Sequence, residues 1–132
     1  MIEQYTTADE TFPAAKLARI QASLERQGVT FVTGADGAAL VRALGGEAIY
    51  WPETGRPGFI AWGSAPSVAA VLEELIHLGQ HRRARWRDLA EQIPALEVEA
   101  QDRLLHLGAR WGWSSDTLAR LRRARARWQG RI

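Results

Sequence analysis

Apolar side chains return every three or four residues over positions 13–27, where Leu17, Ile20 and Leu24 share one face, and this spacing predicts a first helix. Pro13 suits its first turn and Gly28 its stop. The period then changes. Residues 29–33 (VTFVT) are β-branched and aromatic and predict a short strand. Asp36 is suited to cap a short helix that runs to Leu44 and ends at Gly45-Gly46. Residues 48–51 and 59–62 predict two more strands, and the PETGRPG segment between them is dense in turn formers, so the pair is expected to form a hairpin.

GSAPS at 63–67 marks a boundary, with Ser67 placed to cap the longest predicted helix, over 68–92. Val68, Val71, Leu72, Leu75, Leu78, Trp86 and Leu89 give that helix one broad apolar face, and Ile93-Pro94 is expected to break it. A further helix is expected over 96–110, punctuated by Gly112, and a last one to about Trp128, capped by Ser114 or Ser115. The predicted order is α-β-α-β-β-α-α-α in one domain, 1–132. This is an α+β fold with a small antiparallel sheet or hairpin in an α/β part (1–66) and a three-helix part (67–132).

Composition narrows the chemistry. There is no cysteine, which excludes disulfide scaffolds, thiolate zinc sites and thiol catalysis. No apolar run reaches membrane-span length, and the opening Met-Ile-Glu-Gln-Tyr lacks the basic and apolar regions of a secretory signal. A cytoplasmic protein, or a payload delivered into a target cell as part of a larger toxin, is the expectation. The formal charge of +2 conceals an asymmetry: residues 1–66 carry five basic and seven acidic side chains, residues 67–132 twelve and eight. Six tryptophans, spread along the chain, read as core filling rather than one aromatic patch.

The long helix carries EELIHLGQH. At about 100° per residue, Glu73, His77 and His81 form a slowly drifting row with Glu74 beside it, on a side roughly opposite the apolar stripe. Imidazole nitrogen and carboxylate oxygen both ligate zinc, and the i, i+4 spacing puts two such groups on one side of a helix. A third ligand must come from elsewhere. In EVEAQ, Glu97 lies beside the apolar row of Ala100, Leu104, Leu107 and Trp111, where a carboxylate needs a partner, whereas Glu99 projects towards His106 and Arg110 and reads as solvated. Equally, Glu and His at this spacing are ordinary on a solvated helix face.

EExxH (Glu73 to His77) resembles the HExxH motif of zincin metallopeptidases with its first His replaced by Glu. ExxAQ (Glu97 to Gln101) is similar to the downstream glutamate helix of the gluzincin branch. The wider stretch, about 45–128, resembles a zincin-like C-terminal module of bacterial polymorphic toxins. The resemblance implies a Zn2+ site with His77 and Glu97 as ligands and Glu74 as general base of a metallopeptidase-like hydrolase. Glu73 stands at the first ligand position, with His81, one turn beyond His77, as the alternative. It implies a protein substrate and a cognate immunity protein as partner.

A second expectation is a non-catalytic interaction domain. Arg120, Arg122, Arg123, Arg125 and Arg127 crowd the last helix, and Arg82, Arg83, Arg85 and Arg87 crowd the end of the long one. Clustered guanidinium groups suit nucleic-acid phosphates or an acidic protein partner. The arginines wrap around the last helix rather than lining one face, which equally fits a solvated helix. No P-loop or nucleophile elbow is present.

Overall fold

A computed structural model describes residues 7–132; the opening residues, on which the secretory-signal reading rests, lie outside the described residues. Helix α1 spans Ala14–Arg26, strand β1 Thr30–Val32, α2 Gly34–Ala43, β2 Ala48–Trp51 and β3 Phe59–Trp62. The helical half follows as α3 (Val68–Arg83), α4 (Ile93–Trp111) and α5 (Ser115–Gln129), with a single 3-10 turn at Ala90–Gln92 before α4. This is a small α+β fold with a helical C-terminal half.

β2 and β3 form the expected antiparallel hairpin, with Tyr50 opposite Ile60 and Trp51 opposite Phe59. The sheet is mixed, however: β1 pairs parallel with β3, Phe31 opposite Ile60, so the order is β1-β3-β2 and β2 is an edge. Parallel pairing needs a crossover, and the chain between β1 and β3 contains α2, packed on β3, as well as β2 itself. The central strand is accordingly the most apolar: Ile60 and Ala61 are fully buried and Trp62 nearly so. α3 lies against β2, and α4 packs on both α3 and α5. Val68, Val71 and Leu78 of α3, Leu104 of α4 and Leu121 of α5 complete the core with Trp111 and Trp113.

Gly108 makes the α4–α5 corner possible, because a Cβ there would lie 2.4 Å from Cε3 of Trp113. Ser67 and Ser114 cap α3 and α5, their Oγ atoms accepting from the backbone of Ala70 and Thr117. Of the six tryptophans, Trp62, Trp111 and Trp113 fill the core, whereas Trp51 is half exposed.

Three boundaries differ from the sequence reading. α2 begins at Gly34 with Thr33 as its cap residue, so Asp36 lies inside its first turn. α3 stops at Arg83 rather than near residue 92, because Arg85 and Trp86 adopt left-handed backbone angles (φ 55° and 63°) that reverse the chain. The Trp86 carbonyl then accepts from the Gly55 amide at 2.7 Å, tying this turn to the β2–β3 loop. Pro94 opens α4 instead of breaking α3, as its missing amide costs nothing in a first turn. No helix among the described residues is long and apolar enough to cross a membrane.

Candidate metal centre

α3 and α4 run side by side and bring three of the predicted groups together. His77 Nε2 is 3.4 Å from Glu97 Oε2 across the helix pair and 4.0 Å from Glu73 Oε1 one turn back on its own helix. Ligand atoms of Glu73, His77 and Glu97 all lie within 4.8 Å of one another, and among the described residues this is the one group of three or more such side chains that can hold a metal ion. The geometry fits: two ligands about 2.05 Å from a tetrahedral ion are separated by about 3.4 Å. The His77–Glu97 pair already has that separation, whereas Glu73 stands somewhat farther, 4.0 Å from His77.

The orientation of His77 is fixed from behind. Its Nδ1 lies 2.8 Å from Gln80 Oε1. The Gln80 amide cannot be turned round, because its Nε2 donates both to the Leu96 carbonyl at 2.9 Å and to Glu99 Oε1 at 3.0 Å. Nδ1 therefore carries the hydrogen and Nε2 faces the two carboxylates, the arrangement usual for a metal-ligating imidazole. Arg83 closes the chain by donating to Glu99 at 2.7 Å. Glu99 is thus not merely solvated: Gln80 and Arg83 outweigh its partial burial and lower its pKa.

Behind Glu73, Gln101 donates Nε2 to its Oε1 at 3.2 Å, while Gln101 Oε1 is buried with no partner. Burial pushes the Glu73 carboxyl up, eased by His77 and reinforced by Glu97. For His77, burial opposes the charged form, but the Glu97 hydrogen bond and charge prevail and the imidazole is pushed up to about 9. Without a metal, the cluster holds an excess proton.

Glu74 sits next to the group but apart from its ligand set. The Tyr50 backbone hydrogen-bonds its carboxyl, Oε2 is buried without a partner, and burial raises the pKa to about 8. It lines the same cleft of about 360 Å³ as His77, Gln80 and Glu97.

His81 does not join the cluster. It is almost fully buried, with Nδ1 2.6 Å from the Tyr50 hydroxyl and its ring edge-on to Trp86. The Tyr50 oxygen also accepts from the Gly58 amide at 2.9 Å, so its proton goes to His81 Nδ1, leaving Nε2–H as a buried donor without a partner. The row through Glu73, His77 and His81 drifts round the helix, and by its third member it has turned from α4 to the sheet.

Gln80, Gln101 and Tyr50 support the site without having been singled out in sequence. Gln80, three residues after His77, was legible as a partner from helix spacing. Tyr50 was not, because it comes from a strand.

The arginines fare differently. Arg120 pairs with Asp9 and Arg125 with Asp102, while Arg122, Arg123 and Arg127 are exposed along α5. Compared with known proteins, the chain matches no family model, no curated sequence and no solved structure.

Proposed function

We propose that this chain is a zincin-like metal-dependent hydrolase domain, the effector module of a bacterial polymorphic toxin, with zinc held by His77, Glu97 and Glu73. The observation that carries this reading is the imidazole locked by Gln80 so that Nε2 points at two carboxylates, with a ligand-like 3.4 Å to Glu97. A structural salt bridge needs no such lock and would not leave Glu74 Oε2 and Gln101 Oε1 unpartnered around it.

In this reading a divalent cation supplies Lewis acidity towards water and a substrate carbonyl. Glu74 takes up a proton from the attacking water. Burial raises its pKa to about 8, so the carboxyl is largely protonated at neutral pH in the metal-free chain, and a bound cation would favour the carboxylate form that can take the proton. Gln80 and Glu99 keep His77 from turning, and Gln101 keeps Glu73 from swinging to solvent. A toxin module of this kind acts inside a target cell and is paired with an immunity protein.

The test is elemental analysis of protein purified without chelator or histidine tag. Wild type is expected to carry near-stoichiometric zinc, lost in folded His77→Ala and Glu97→Ala variants. Metal-free wild type that cannot be loaded would end the reading. The alternative, nucleic-acid binding through Arg122, Arg123 and Arg127, has their exposure in its favour. It predicts affinity falling steeply with salt and abolished by neutralising the three.

A further inference from the structure

Helix α5 carries a charge pattern that the metal centre does not use. Five of the eight residues from Arg120 to Arg127 are arginine, and the helix has a single carboxylate of its own, Asp116 in its first turn. Arg120 with Arg123, Arg122 with Arg125 and Arg123 with Arg127 stand three or four residues apart, a spacing at which like charges repel and weaken a helix. Two of the five find relief: Arg120 pairs with Asp9 and Arg125 with Asp102, both in exposed ion pairs. Arg122, Arg123 and Arg127 are exposed, and no carboxylate pairs with them among the described residues.

Burial orders these side chains. Thr117 and Leu121 are buried and Trp128 is half-buried, which fixes the inner side of the helix. At about 100° per residue the arginines then fall into two rows on the outer side. Arg120, Arg123 and Arg127 lie within about 60° of one another in the first row, and Arg122 and Arg125 form the second. Between the rows stand Ala119 and Ala126, so a strip of small side chains is edged by guanidinium groups on both sides. The two arginines that face aspartates are the outermost of each row, and those nearest the solvent-facing midline are the unpaired ones.

A protein partner needs a large apolar or aromatic anchor at the centre of its contact. The outer face of α5 has none, since Trp128 turns to the inner side and Arg131 lies over its ring, 4.7 Å from the centre. Forked cations without an apolar anchor suit a phosphodiester backbone, whose oxygens accept from guanidinium groups in pairs. With no free ring for bases to stack on, such a face reads no sequence. We infer that the outer face of α5 is a track for a nucleic-acid strand, held through its phosphates whatever the sequence. This extends the nucleic-acid reading above from a rival of the metal centre to a second surface, since α5 supplies none of Glu73, His77 and Glu97. It also enlists Arg120 and Arg125, because exposed ion pairs are weak enough for a phosphate to displace the aspartates.

The test is fluorescence anisotropy of the full chain with labelled oligothymidylate and a mixed-sequence strand of the same length, over a range of potassium chloride concentrations. Both strands should bind alike, with log Kd rising against log salt at a slope of about 2 to 3.5, for three to five phosphates at about 0.7 each. Arg122→Gln, Arg123→Gln and Arg127→Gln together should lower that slope by about 2. The same three changed to lysine should keep it, which separates lost charge from misfolding. Arg26→Gln, Arg85→Gln and Arg87→Gln together remove as much charge elsewhere and should leave the slope unchanged. An equal drop in that control, a clear preference for one of the two strands, or no salt dependence would overturn the track. So would polyglutamate or phosphatidylserine vesicles displacing the strand as well as unlabelled strand does at equal charge, which would mean an acidic protein or a membrane surface instead. Strand binding by a chain that loads no zinc supports the track and removes the hydrolase reading. Zinc loading without strand binding removes the track and spares the metal centre.

Discussion

With no metal bound, the protein should lose stability as pH rises through the range where most proteins are indifferent. In the fold His77 is pushed up to about 9, against an ordinary value of 6.5. The folded chain thus holds a proton that the unfolded chain has already released. The stabilisation is fully present below pH 6.5 and drains away as pH climbs to about 9. Glu74 acts in the same direction: a carboxyl raised to about 8 is neutral in the fold and ionised in the unfolded chain, so each step above pH 4.5 favours unfolding until it ionises. At ~1.36 kcal/mol per pH unit for each proton, His77 alone accounts for a loss of about 3 kcal/mol between pH 6.5 and 9. For a domain of this size that is a fall in Tm of roughly 10 °C. The assay is thermal unfolding by circular dichroism at pH 6.5, 7.5 and 9 after chelation, on wild type and His77→Asn. The variant should have a flatter profile over that interval. A flat wild-type profile, or an unchanged slope in His77→Asn, would refute the placement of the proton. Added zinc should raise Tm more at pH 8 than at pH 6, since only the deprotonated imidazole is a ligand.

Other substitutions probe the frame. Gly108→Ala drives a methyl into the Trp113 ring and should cost about 1–3 kcal/mol in chemical denaturation, by forcing α4 and α5 apart. Ile60→Ala empties a fully buried position on the central strand and should cost about 2–5 kcal/mol by the same measurement. Tyr50→Phe removes the acceptor for Gly58 and the donor to His81, for about 1–3 kcal/mol, with an altered His81 ring signal by NMR. Arg120→Ala breaks an exposed pair with Asp9 and should change stability by less than about 1 kcal/mol.

Much of this architecture was legible because local pattern and final structure agree. Both hairpin strands lie at the expected 48–51 and 59–62 on either side of the PETGRPG turn, Ser67 caps α3 as expected, and of the two serines offered for α5 it is Ser114 that caps. The early end of α3 was hidden because Arg85 and Trp86 carry no glycine signal for their left-handed turn. The juxtaposition of His77 and Glu97 could be anticipated from helical faces, whereas the departure of His81 towards Tyr50 depends on where the sheet lies, which no helix periodicity encodes. The parallel pairing of β1 was equally out of reach, as it is a contact across 29 residues (Thr30 to Phe59).

That pairing governs the order in which the molecule can assemble. The central strand is the last of the three in the chain, so neither edge strand has a partner until Phe59–Trp62 has been synthesised. α3, α4 and α5 are built from local contacts and can form on the microsecond scale of helices, but sheet closure must wait for a long loop to find its mate. Tyr50, whose backbone and hydroxyl hold Glu74 and His81, belongs instead to the β2–β3 hairpin, a local contact that can form on the same microsecond scale as the helices. The groups around His77 therefore need only the hairpin and the helices, and the parallel β1–β3 ladder is the one element of the sheet whose closure they do not wait for.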